Sequence, residues 1–263
     1  MAKPKIGLAL GSGGAKGFAH VGVLKVLSEA GVPIDFMAGS SMGALACALY
    51  ACGHDWKVMA KMATTFRRKH FVDWTLPKMG LVSGRKVGNL IRVLTHNKRF
   101  EDCKIPIKIV ATDLISGKHV IFDSGYLYEA VRASISIPGI FVPVKKDGKI
   151  LVDGGVIDRV PVTVVKEMGA DITIAVDVAS YYGKSDIHSI YDVIMSSIDI
   201  MQQQIVTLQE PSADIVIKPP IGQYRTELKV WESMEKIIEI GEATARRQLP
   251  DIQQLIKAWK ERS

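Results

Sequence analysis

The chain lacks an apolar run long enough to span a membrane. Its longest nearly uncharged stretch, Phe36 to Gly53, is broken by serine and glycine and falls short of the roughly 20 apolar residues a transmembrane helix needs. Cysteine is scarce: Cys47, Cys52 and Cys103 form no C-x-x-C pair and leave an odd thiol, which argues against a disulfide framework and fits a reducing cytosol. The N-terminus offers Lys3, Lys5 and only a brief apolar run before Gly11, which does not make a signal peptide, so a cytoplasmic location is expected. No two histidines stand at H-x-x-x-H spacing, so no metal is expected. The P-loop pattern is absent too. Internal repeats and low-complexity segments are missing, and no linker divides the chain.

What is present is unevenly charged. The net charge of +7 is concentrated between Asp55 and Lys104, where twelve Lys/Arg face four Asp/Glu. Such a segment suits an anionic membrane surface, or is simply a solvated face. Trp56, Phe66, Phe71 and Trp74 lie within it, and no nucleic-acid motif accompanies it, so no nucleic-acid partner is expected.

Ile6 to Leu10 reads as a buried strand running into a glycine loop, Gly11 to Gly17, and then a helix ending near Gly31. Ile34 to Ala38 is a second strand, followed by a helix over Ala44 to Cys52. This opening argues for a parallel α/β sheet. Residues 55–104 read as polar and helical, a break in the alternation that suggests a cap-like insertion. Strands are expected at Ile105 to Thr112, His119 to Asp123 and Ile172 to Val178, with Val142 to Val144 and Ile150 to Val152 in a hairpin. Helices are expected at Tyr126 to Ser134, Val162 to Met168, Ile187 to Leu208, Trp231 to Arg247 and, separately, from Pro250 onward. Ile137 to Gly139 reads as a loop, and Ala213 to Lys218 as a late strand.

Between the second strand and its helix stands Gly39-Ser40-Ser41-Met42-Gly43, a G-x-S-x-G pattern in the strand–turn–helix setting of a nucleophile elbow. Ser41 is the candidate nucleophile. The loop Gly11-Ser12-Gly13-Gly14-Ala15-Lys16-Gly17 can gather backbone N–H groups at a helix start, to bind phosphate or to stabilise an oxyanion. Dinucleotide binding is disfavoured: Lys16 stands where G-x-G-x-x-G needs glycine, and the second strand ends in Ala38-Gly39 without an acidic residue. A serine nucleophile needs a proton acceptor. Of six histidines only His188 sits late enough for a Ser…Asp…His order, and His20 near the glycine loop reads as structural. Asp153, after the strand Ile150 to Val152 and before Gly154-Gly155, is the better partner, although Asp-Gly is also a common turn dipeptide.

Taken together, GSGGAKG, GSSMG and DGG in this order resemble the patatin-like phospholipase family, above all its small bacterial single-domain members. The surrounding text agrees: LALGSGGAKGFAHVGVL, AGSSMGALACALYACG, ASISIPGIFVPV and LVDGGVIDRVPV. The resemblance extends over residues 5–180 and more loosely beyond. It implies a three-layer α/β/α domain with a mostly parallel central sheet over 1–263. It implies hydrolysis of lipid acyl esters by a Ser–Asp dyad, Ser41 as nucleophile and Asp153 as proton acceptor, through an acyl-enzyme and without a cofactor. The N–H groups of Ser12, Gly13 and Gly14 would form the oxyanion hole, and Gly39 and Gly43 the elbow. Gly11, Lys16, Gly17, Gly154 and Gly155 would complete the motifs. Many members carry glycine where Ser12 stands. Two alternatives remain open at this level: a lipid-sensing regulator on the same fold, and a nucleotide-binding α/β protein.

Overall fold

Short apolar runs become strands because every residue in them can be buried. In the computed structural model, which describes residues 3–65, 73, 79–178, 187, 190–209, 212–222, 224 and 233–262, β1 (Ile6–Leu10) and β9 (Ile172–Val176) are buried at every position. Such continuous runs mark strands covered on both faces. Between them in sequence come β2 (Phe36–Ser40), β3 (Gly80–Val82), β4 (Ile107–Asp113), β5 (His119–Phe122), β6 (Gly139–Phe141), β7 (Val144–Lys146) and β8 (Lys149–Asp153); β10 (Ile215–Ile217) follows. The main sheet runs β10-β9-β1-β2-β4 with every neighbouring pair parallel. Strands β5, β8 and β7 add antiparallel pairs beyond it. The mostly parallel sheet expected from the sequence is the one found.

Side-chain size alternates along the strands and sorts the layers. Ile6, Leu8, Leu10, Met37, Ile109 and Ile174 point into one core with helices α1 (Ala19–Glu29) and α2 (Met42–Ala51). Ala9, Ala38, Val110 and Ala175 face the other way, against Val162, Val164 and Val165 of α6 (Val162–Glu167) and Val206 of α7 (Ile190–Gln209).

Segment 55–104 is more integrated than a cap laid on top. Its α3 (Trp56–Thr65) and α4 (Arg85–Leu94) bury Met59, Val87 and Ile91 in the main core, and β3 pairs with β6. Arg132 of α5 (Leu127–Ser134) donates to the Ser83, Gly84 and Val142 carbonyls and ties this segment down. Phe66, Arg67, Arg68, Lys69, Phe71 and Trp74 lie outside the described residues, as does His188.

Several boundaries differ from the sequence reading, among them the first hairpin strand, which is Val144–Lys146 and not Val142 to Val144, and three others have structural causes or consequences. Strand β2 is shifted to Phe36–Ser40, so the turn begins directly at Ser41. The expected loop at Ile137 to Gly139 gives way to β6 at Gly139. The two expected final helices are one, α8 (Met234–Arg262), with Pro250 inside it. An interior proline costs a helix about 3 kcal/mol. Here the continued helix packs Ala245 and Ile252 in the core with Leu249, Leu255, Ile256 and Trp259 against it, and that burial outweighs the missing hydrogen bond. Gly241 is a contact point as well: a Cβ there would sit 2.2 Å from the Ala19 carbonyl oxygen of α1.

Candidate active site

The strand β4 brings the site together. Its residues 107–110 pair with β2 and its residues 111–113 pair with β8, while β5 occupies the opposite edge. Strands β2 and β8 therefore run toward each other along one edge of β4 and meet end to end, Ser40 opposite Val110 and Asp153 opposite Ala111. Ser41, the next residue after β2, and Asp153, the last of β8, are placed side by side.

The elbow is a steric construction. Ser41 has φ 54° and ψ −120°, backbone that costs a non-glycine residue on the order of 1–3 kcal/mol and persists only when its surroundings hold it. A Cβ at Gly43 would lie 2.0 Å from the Leu10 carbonyl oxygen, and one at Gly39 would lie 2.5 Å from the Gly43 carbonyl oxygen. Only glycine lets β1, β2 and α2 converge so closely. Ser41 N–H is fixed by the Ser134 hydroxyl at 2.8 Å, which itself donates to the Val110 carbonyl at 2.7 Å.

Ser41 Oγ donates to Asp153 Oδ2 at 2.5 Å. The other carboxylate oxygen accepts from Gly155 N–H at 2.8 Å, and Asp153 N–H donates to the Ser136 carbonyl at 2.9 Å. Burial raises the Asp153 pKa to about 6; hydrogen bonds from Ser41 and Gly155, the Arg159 charge and the Ser12 hydroxyl pull it the other way. A carboxylate is thereby brought into the range where it can accept a proton near neutral pH.

The glycine loop folds as a 3-10 turn, Gly14–Phe18, directly before α1. Ser12 requires a correction as an oxyanion donor. Its N–H donates to the Arg159 carbonyl at 2.9 Å, so that amide is already used. Its side chain donates to Ser40 Oγ at 3.1 Å and faces the dyad. The Gly13 and Gly14 amides donate to no backbone acceptor among the described residues. Gly11 N–H donates to the Val176 carbonyl and Gly17 lies against Met42, which fix the loop to β9 and to the elbow. Lys16 pairs with Asp199 of α7 at 3.8 Å.

His20 is fully buried, and its Nε2 bonds the Gly11 carbonyl at 2.9 Å, which makes that nitrogen the donor. Burial lowers its pKa to about 4, so it stays neutral and braces the loop through Gly11. Two residues escaped that reading. Ser134 gives no signal in sequence beyond a small polar residue at a helix end. Arg159, in the run Asp158-Arg159-Val160, is 1% exposed and lies 4.0 Å from Asp177 and 3.9 Å from Asp199, placing a positive charge behind Asp153.

A family model described as patatin-like phospholipase matches residues 8–166. An uncharacterized NTE family protein of Mycobacterium tuberculosis is 41% identical over 175 residues, covering 66% of this chain and 49% of that protein. Neuropathy target esterase of Drosophila melanogaster is 37% identical over 183 residues, 66% of this chain and 13% of the fly protein. Lysophospholipase NTE1 of Coccidioides immitis is 36% identical over 183 residues, 66% and 12% of the two chains. The matched region is thus half or less of each of these relatives. Among solved structures, the type III effector ExoU aligns with TM-score 0.51 at 15% identity over 94% of this chain and 53% of its own, a likeness of fold.

Proposed function

This chain belongs to the patatin-like phospholipase family, and from that premise we propose that it cleaves lipid acyl esters with Ser41 and Asp153 alone as its proton-transfer pair. The observation that carries the reading is the 2.5 Å hydrogen bond from Ser41 Oγ to Asp153 Oδ2. Ser41 Oγ attacks the ester carbonyl carbon as its proton passes to Asp153 Oδ2. The carbonyl oxygen becomes an oxyanion held by the Gly13 and Gly14 N–H groups, an arrangement in which donors are aimed before charge develops. Collapse expels the alcohol, which takes the proton from Asp153, and leaves an acyl group on Ser41. Water then attacks this ester and gives its proton to Asp153; collapse frees the fatty acid as Ser41 Oγ takes that proton back, restoring the resting pair. Phospholipids and lysophospholipids are the proposed substrates, in line with the lysophospholipase relatives.

The test is covalent capture. A fluorophosphonate probe is expected to label the protein at Ser41, located by peptide mass spectrometry, and the protein should turn over a soluble short-chain acyl ester. A folded protein that does neither is not this hydrolase. The pH profile follows from Asp153, which must be ionised to accept the proton. kcat/KM for the soluble ester is therefore expected to climb with pH, with a midpoint near the Asp153 pKa of about 6, and to level off above it. A profile flat down to the ordinary carboxylate range would exclude Asp153 as the base.

A further inference from the structure

Strand β4 continues past the dyad in the direction of β2. Its turn, Leu114-Ile115, lies four residues beyond Val110, roughly 13 Å ahead of the level of Ser40 at about 3.3 Å per residue. Both side chains stand in solvent, Leu114 at 53% and Ile115 at 65% exposure. The turn is nonetheless firmly built. The buried Asp113 carboxylate accepts from Ile115 N–H, Ser116 N–H, the Ser116 hydroxyl and Ile150 N–H, and Leu114 N–H donates to the Ile150 carbonyl. A turn held this way keeps two adjacent large apolar side chains facing water.

Its surroundings are basic. Lys118 closes the turn through its carbonyl, which accepts from Asp113 N–H, and Lys145 and Lys149 stand on the adjoining β7–β8 hairpin; all three are exposed. Lys146 is paired with Glu129, and Asp147 is the acidic residue at the hairpin tip. Ile190 and Val193, in the first turn of α7, are exposed as well.

From this combination we infer that the Leu114–Ile115 turn and its lysines are the surface by which the protein docks on an anionic lipid bilayer, with the dyad facing the membrane behind it. The inference rests on the lipid-hydrolase reading above. Two apolar side chains enter the headgroup layer while Lys118, Lys145 and Lys149 meet anionic headgroups, a pairing in which neither part need bind strongly alone. The basic run Arg67, Arg68 and Lys69, outside the described residues, is the competing candidate from the sequence.

The test is co-sedimentation of the full chain with vesicles of phosphatidylcholine, with and without phosphatidylglycerol. Wild type is expected to bind the anionic vesicles in a salt-sensitive way. Lys118→Glu/Lys145→Glu/Lys149→Glu should lower partition by roughly a hundred-fold, and Leu114→Ser/Ile115→Ser by roughly ten-fold. Both variants should keep wild-type melting and wild-type turnover of a soluble ester. Loss of that turnover in wild type would sink the hydrolase reading and leave the docking result to stand or fall separately. Unchanged vesicle binding in both variants, or loss of binding only on charge reversal at Arg67, Arg68 and Lys69, overturns the inference. So does a dimer in solution that dissociates when Leu114 and Ile115 are replaced.

Discussion

Asp153→Asn is expected to lower turnover of a soluble ester by about 10²–10⁴-fold, the usual worth of a positioned general base, while leaving the fold intact. Ser41→Ala should reduce turnover at least as far and abolish labelling. The double variant should be no worse than Ser41→Ala alone, because a base has nothing to do without its nucleophile. Asparagine has one acceptor oxygen, so it can keep the bond from Ser41 or the one from Gly155 N–H but not both, and an unchanged melting temperature in acid is the control that separates lost proton transfer from misplacement. Stability should move the opposite way. The folded pKa of about 6 stands above the ordinary carboxylate value of 3.8, so between these pH values the native state holds a proton the unfolded state has released. Stability therefore declines as pH rises through this window, and above it the buried charge costs on the order of 3 kcal/mol. Asp153→Asn removes the ionisation and should melt no lower than wild type in alkaline buffer, with the difference fading in acid. Turnover within a few-fold of wild type would remove Asp153 from the chemistry.

Gly154→Ala should be nearly as damaging for a steric reason, whereas Gly155→Ala should be mild. A Cβ at Gly154 would lie 2.2 Å from the Val110 carbonyl oxygen and 2.6 Å from Ser40 Oγ. The first obstacle is backbone of the strand on which β2 and β8 meet, so the ends of those strands must part. Overpacking of this kind typically costs about 1–3 kcal/mol, and a shift of even 1 Å between Ser41 and Asp153 can cost about a hundred-fold in rate. At Gly155 the obstacles are side-chain atoms, Ser12 Oγ at 2.4 Å and Gln202 Nε2 at 2.8 Å. Removing the nearer one with Ser12→Gly should relieve the smaller cost that Gly155→Ala carries, and a melting cycle over the two single variants and the double should show a coupling of at least about 0.5 kcal/mol. Additive effects would mean that the two residues do not meet. Ser12 and Gly155 thus read as one choice, a hydroxyl on one side matched by a missing methyl on the other.

Much of this was legible in the residues. Ile6–Leu10 reads as a buried strand because it is apolar throughout, and its bounds match. The elbow and the DGG turn were visible because each demands glycine beside a reactive residue. The reason for those glycines was not visible, since the obstructing atoms at Leu10 and Val110 come from strands remote in sequence. Ser134 and Arg159 act only through partners the fold supplies, so their types carried no signal. The Ser12 amide was misread for the same cause: its acceptor, the Arg159 carbonyl, is a long-range contact. Pro250 was read by its local effect, and tertiary burial overrode it.

During synthesis the nucleophile emerges long before its base. The elbow and the proposed base are joined across the sequence: the partner of Ser41 lies 112 positions downstream. At roughly 5–20 residues per second the serine waits on the order of 10 s on the ribosome with nothing to take its proton. On the proposed mechanism, a chain that ends before Asp153 is expected to be inert toward esters. The long separation would then act as a safety catch released only when β8 docks.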